Sequence, residues 1–294
     1  MTHQRHIVPK GTAALALVAV AGLTQAATTL ELRAQSLHDA PRLDSEVGLE
    51  LIRPVFDGLD TNALTFSGQA SLRWKVTDKV AVLADLPFTR LSTPVPVTGF
   101  GEARSGARLG NPLLGFRYRA ADSATAIDVA VRLPIDLQTG DNFPETVGAF
   151  GDFDRWEAYM PDLLSVIARA SGEWDITEKV VGRFSLGGVL STTDLGSFGS
   201  GGSAYSMTYG GGVSADVGPV TLTPGFTGRL RLDAGSADLA QRTVHQFALG
   251  VLYDAVRARP YVRLRVPIDE DLSRIVNLVV SVGVIVPLGG TDER

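Results

Sequence analysis

Cysteine is missing altogether, and histidine, tryptophan and methionine are scarce: the 294-residue chain has four His, three Trp and three Met. Without thiols there is no disulfide framework, no thiolate nucleophile and no sulfur-ligated metal centre. No apolar run beyond the N-terminus approaches the ~20 residues that a membrane helix needs, although hydrophobic residues make up 45% of the chain. HExxH, a phosphate loop and dense carboxylate ligand spacing are also lacking, so no metal or cofactor is expected and the chain does not read as an enzyme. Positive charge is the minority sign, with 27 Lys+Arg against 32 Asp+Glu. That balance gives no expectation of a nucleic-acid partner.

What is present is long alternation. Between residues 64 and 76, Leu64, Phe66, Gly68, Ala70, Leu72, Trp74 and Val76 share one parity, and Thr65, Ser67, Gln69, Ser71, Arg73 and Lys75 the other. A period of two means an extended strand with one apolar and one polar face. Strands of soluble proteins average about 5–6 residues, whereas a membrane-crossing strand needs about 9–11. The longer unit recurs near 45–55, 63–76, 80–91, 112–120, 124–135, 163–175, 180–191, 205–217, 220–232, 243–253, 259–267 and 275–287. Twelve is an even count, as bacterial barrels have. The fold class is all-β: one transmembrane antiparallel up-and-down β-barrel of about twelve strands.

Residues 1–26 read as a signal peptide, with Arg5 and Lys10 ahead of the apolar run Thr12–Leu23 and small residues at Thr24-Gln25-Ala26. Residues 27–44 form a periplasmic lead-in, 45–288 the transmembrane β-barrel and 289–294 a polar C-terminal tail. The connections alternate in length. Thr77-Asp78-Lys79, Ala121-Asp122-Ser123, Ile176-Thr177-Glu178-Lys179, Gly218-Pro219 and Asp254–Ala258 are short, and residues 92–111, 136–162, 192–204 and 233–242 are long. Short turns belong on the periplasmic side and long loops outside, which places both termini in the periplasm of a Gram-negative cell and the barrel in its outer membrane.

Trp74, Tyr118, Trp174 and Tyr253 fall on the apolar parity next to short turns and read as a membrane-interface girdle. Prolines mark the other rim at Pro54, Pro87, Pro134 and Pro267, and Pro224 inside a strand predicts a bulge. The polar parity, turned inward, gives candidate lumen-lining residues: Arg73, Lys75, Asp85, Arg117, Arg119, Asp128, Arg132, Arg169, Arg183, Arg229, Arg231, Arg263 and Arg265. With Glu46, Glu50, Glu173 and Asp216 counted, the inward set is eleven basic against six acidic. In an acidic protein the remaining carboxylates must then lie elsewhere, and residues 136–162, with seven acids against Arg155 alone, read as a solvated outer loop.

Three functions follow from this frame. Inward arginines favour a passive channel for small anionic or aromatic solutes, by charge and by guanidinium stacking. Alternatively the charges pair across the lumen, or residues 27–44 block it, giving a closed structural or adhesive barrel. The third reading is a lipid hydrolase at the rim, centred on His245. An outer-membrane phospholipase carries a serine two residues from such a histidine, and here that position is Phe247. The expected partners are outer-membrane lipid, a small-molecule solute and the outer-membrane assembly machinery.

The stretch Phe66–Ala120 resembles the outer-membrane transporter-like family labelled "MetA-pathway of phenol degradation". The resemblance rests on the short Thr-Asp-Lys turn, the strand reaching Leu86-Pro87, and Gly110-Asn111-Pro112-Leu113-Leu114-Gly115-Phe116-Arg117-Tyr118-Arg119. Pro260-Tyr261-Val262-Arg263-Leu264 and the run Val276–Pro287 are similar to its final hairpin. The resemblance implies a barrel that serves uptake of aromatic or other hydrophobic compounds, and it carries over no ligand residues. The chain departs from outer-membrane barrels in ending Val286-Pro287-Leu288 and a polar tail, without a terminal aromatic.

Overall fold

The computed structural model describes residues 43–57, 65–92, 105–120, 123–135, 143–160, 163–193, 202–233, 242–254 and 257–288. The segments expected to be a signal peptide and a C-terminal tail, and nearly all of the expected lead-in, lie outside the described residues.

The described residues form thirteen strands: β1 (Glu46–Phe56), β2 (Phe66–Lys75), β3 (Val80–Ser92), β4 (Ser105–Leu109), β5 (Leu113–Arg119), β6 (Thr125–Arg132), β7 (Leu163–Thr177), β8 (Val180–Thr193), β9 (Gly202–Val217), β10 (Val220–Arg231), β11 (Thr243–Tyr253), β12 (Arg259–Pro267) and β13 (Val276–Pro287). Every pairing is antiparallel and joins neighbours in sequence, except that β3 also pairs with β5 and β1 with β13, the last of which closes the sheet. β4 and β5 both pair with β3, at its upper and lower halves, and together make one stave interrupted at Gly110-Asn111-Pro112. The cylinder therefore has twelve staves. β4 is an addition to the sequence reading, which leaves residues 92–111 as loop. Its five residues are too few for a period of two to stand out.

Burial is inverted relative to a soluble domain. On β5, Leu114 and Phe116 are 54% and 51% exposed while Arg117 between them and Tyr118 is 0% exposed. The same alternation holds on β1, where Val47, Leu49 and Leu51 are exposed and Glu46 and Glu50 are buried. Apolar side chains cover the outside of the barrel and polar ones fill it, the arrangement that hydrocarbon on the outside requires. Two sheets packed face to face would bury the opposite parity.

The tight turns have a side-chain origin. In the repeated sequence Trp74–Val80 and Trp174–Val180, a threonine hydroxyl closes the turn. Thr77 Oγ1 accepts from the Lys79 and Val80 amides at 3.2 and 3.0 Å, and Thr177 Oγ1 from the Lys179 amide at 3.3 Å. Gly218 supplies the positive φ (62°) at the β9–β10 turn, a conformation that a Cβ would strain. The bulge expected at Pro224 is not formed. Pro224 stays in register opposite Leu249, and the β9–β10 register is the same on both sides of it. The missing N–H only interrupts the β9 pairing there. Irregularities fall instead at Val55/Phe56 and Asp175/Thr177, near strand ends.

Helices are few. α1 (Phe143–Gly151) and a 3-10 turn (Phe153–Ala158) lie between β6 and β7, and α2 (Glu270–Ser273) between β12 and β13.

Candidate functional site

The inside of the barrel is occupied. α1 and the 3-10 turn belong to the connection that sequence reasoning puts outside, and the structure overturns that placement. Tyr159 and Ala158 are 1% and 0% exposed, and Asp152 and Glu157 are buried with them. The segment is amphipathic with a spacing of three: Val147, Phe150, Phe153, Trp156 and Tyr159. Its apolar side packs against the first staves. Phe150 meets Phe56 of β1 edge-on at 6.2 Å, and Gly148 lies so close to Tyr159 and Thr89 that a Cβ there would clash.

Its carboxylates explain why it enters. Asp152 accepts from Arg265 Nη1 of β12 at 3.0 Å and from Arg155 Nε at 2.7 Å. Arg155 also reaches Glu50 of β1 at 3.3 Å. Glu157 takes Arg229 of β10 at 2.7 Å and approaches Arg132 at 3.9 Å, and Thr227 donates to Asp154 at 3.0 Å. Arg229 stacks over the Trp156 ring at 5.2 Å. The barrel's surplus of inward arginine thus meets acids from the segment, and the inward acids rise from six to nine. Burial pushes the Asp152 carboxyl up, and Arg155 and Arg265 more than reverse it, so it sits below the ordinary carboxylate range. Burial also raises the Tyr159 hydroxyl above its usual value.

Asn111, in the break between β4 and β5, ties down the segment's end. Its side-chain amide donates to the carbonyls of Glu157 and Met160 at 3.0 and 2.6 Å, and its backbone N–H donates to Ala158 at 2.7 Å. Gly110 beside it has the Ala158 carbonyl where a Cβ would stand.

Other inward residues pair along the wall itself. Arg117 of β5 grips Asp128 of β6 with two bonds of 2.6 and 2.8 Å, and Arg169 of β7 binds the same carboxylate at 3.0 Å. These three occupy one register row. Arg183 pairs with Glu173 at 3.0 Å, and Arg73 and Arg259 both pair with Glu46. Arg132 and Asp85 are 3.8 Å apart, as are Arg263 and Glu50. Two of the sequence candidates lie at the rims. Lys75 pairs with Asp78 in the β2–β3 turn at 2.7 Å, and Arg231 with Asp233 beyond β10 at 3.1 Å. Arg119 ends β5 beside the short turn and is half-buried. Arg259, buried and inward, is absent from the sequence candidates because it falls on the first residue of its strand.

Space remains on the far side. β8, β9 and β10 turn small residues inward, among them Ser185, Gly187, Thr208, Gly210, Gly225 and Thr227. Between them and the segment lies a cavity of about 130 Å³, bordered by six arginines, among them Arg169, Arg183 and Arg263, and by five acids, among them Asp128 and Asp154. No group of three or more His, Asp or Glu among the described residues could hold a metal ion.

Trp74, Tyr118, Trp174 and Tyr253 all stand exposed on the outer face next to the short turns. His245 also faces outward, near the opposite rim. It stacks on Phe226 at 5.5 Å, meets Tyr209 Oη at 2.7 Å through Nε2 and Asp269 at 2.9 Å through Nδ1. Both ring nitrogens are engaged, and neither partner is a serine.

No protein-family model matches the sequence, and no curated protein matches it at a significant level. Among solved structures, an outer-membrane channel from Pseudomonas putida F1 is similar over 87% of this chain and 100% of its own, with 13% identity and a TM-score of 0.57. The NanC porin aligns over 83% of this chain and 100% of its own, with 8% identity and a TM-score of 0.48. The fold is that of Gram-negative outer-membrane β-barrels.

Proposed function

We propose that this protein is a passive outer-membrane channel for small solutes, with its bore reduced to a path between the inward-folded segment and the β7–β10 wall. The cavity beside the segment carries this reading. At about 130 Å³ it approaches the size that accepts one benzene-sized molecule. Its arginines favour a carboxylate or an aromatic face. The solute class is therefore small anionic or aromatic compounds, in line with the resemblance to the phenol-degradation transporter-like family. The likeness to a channel from Pseudomonas putida F1 supports the reading at the level of fold. The short turns and both termini face the periplasm, the chain arrives by way of its signal peptide, and the assembly machinery inserts it. No catalytic role is assigned.

The closed structural barrel is the second reading, favoured by the ion pairs that fix the segment across the lumen. Planar bilayers separate the two. A channel gives small, steady conductance and admits benzoate into liposomes. An inserted barrel that passes neither ions nor benzoate is closed.

A further inference from the structure

Along the described strands, charge is excluded from the outside of this barrel with two exceptions. Among the described strand residues, Arg53 and Arg90 are the only Lys, Arg, Asp or Glu on the outward parity, and both are exposed. They are neighbours. Ile52 pairs with Ser67, so Arg53, one residue further, lies opposite Phe66, and Phe66 pairs with Arg90. Two strand spacings of ~4.8 Å put their Cα atoms about 10 Å apart, within joint reach of one phosphate group. Phe66 and Phe88 meet edge-on at 6.4 Å on this face, and Phe88 covers the bare backbone of Gly68.

Depth matters as much as spacing. β3 begins at Val80 beside a short turn, and Arg90 lies near its far end. At ~3.3 Å per residue and a tilt of ~40°, the climb from Val80 is about 25 Å, the height of the apolar band of such barrels. Arg90 thus stands where acyl chains give way to headgroups of the leaflet that meets the long loops, and Arg53 a little below it, able to extend upward. Inward arginines such as Arg117 and Arg265 have carboxylate partners, but among the described residues neither Arg53 nor Arg90 has one.

We propose that Arg53 and Arg90 form a docking site for the phosphate of a phosphorylated outer-leaflet glycolipid, with Phe66 and Phe88 against its acyl chains. Guanidinium groups bind phosphate by charge-assisted, forked hydrogen bonds. The proposal needs the barrel to lie in the outer membrane and does not depend on conduction.

The test is native mass spectrometry of the detergent-purified full chain with three probes: bis-phosphorylated lipid A, its dephosphorylated form and phosphatidylethanolamine. The wild type should retain one bis-phosphorylated lipid A at tenfold or more over the dephosphorylated form. Arg53→Gln with Arg90→Gln should remove that preference, whereas Arg274→Gln, an exposed arginine in α2's flank, should leave it intact. Folding of each variant is checked by heat-modifiable gel mobility, and Arg53→Lys with Arg90→Lys, which keeps the charge, should retain part of the preference. Unchanged retention in the double variant, an equal loss in Arg274→Gln, or displacement of the lipid by inorganic phosphate alone overturns the site. A barrel silent in bilayers that still shows the preference rejects the channel and keeps the site.

Discussion

Asp152, inside the barrel, is bound by Arg265 of β12 at 3.0 Å across 113 residues of chain. With the Glu157–Arg229 pair this contact ties the segment to β12 and β10 as well as to the first staves it packs on. Arg265→Ala should therefore loosen the segment. Removing one partner of a buried pair costs about 3 kcal/mol or more, though Arg155 retains part of the compensation for Asp152. The expected readout is larger and noisier single-channel conductance, with the barrel still intact on a heat-modifiable gel.

Replacing residues 143–158 by a short Gly-Ser linker should leave the staves paired, because the β6–β7 register does not involve them. Conductance should rise severalfold. A chain that no longer inserts would mean that the segment is required to build the cylinder.

Selectivity should reside in the wall beside the cavity. Arg169→Gln with Arg183→Gln should shift the reversal potential toward cations, measured under a salt gradient. Arg117 is the wrong target. It is 0% exposed and, unlike Arg169 and Arg183, does not border the cavity.

Acid should release the segment, and the sign follows from Asp152. Its carboxyl lies below the usual range in the folded protein, so the pairing contributes fully above the unfolded value of about 3.9 and is lost as pH falls through the folded one. Conductance should stay level from neutral pH down to about 4 and rise below it. A rise centred near pH 6 would point to another group.

Lipid contact is open to a depth scan. Leu114→Arg, on the outward face of β5 away from the turn, should cost about 2–4 kcal/mol in urea-dependent insertion into vesicles, and Tyr118→Arg at the girdle about 0–1.

Much of this was legible in the chain because the period of two is local. Thirteen residues around Ser71 suffice to give a strand and its two faces, and the alternation of short and long connections gives the up-and-down order. Which side faces lipid was legible too, since Arg117 and Asp128 cannot sit against hydrocarbon. The inward segment was not. Its acids resemble any solvated loop until their partners are known, and those partners, Arg229 and Arg265, lie on β10 and β12. A signal was available in the apolar spacing of three from Val147 to Tyr159, which a solvated loop has no reason to keep. Pro224 makes no bulge because a missing donor is not an extra residue, and a ladder can skip one bond and stay in step.

The gap between β4 and β5 has a last consequence. Gly110, Asn111 and Pro112 spoil a stave, and in doing so they leave a bare amide and a carboxamide to seize the carbonyls at the end of the inward turn. Asn111→Ala should free that turn. The obstruction is thus tethered to the cylinder wall at the very place where a stave is broken, so the width of the bore depends on an imperfection in the sheet.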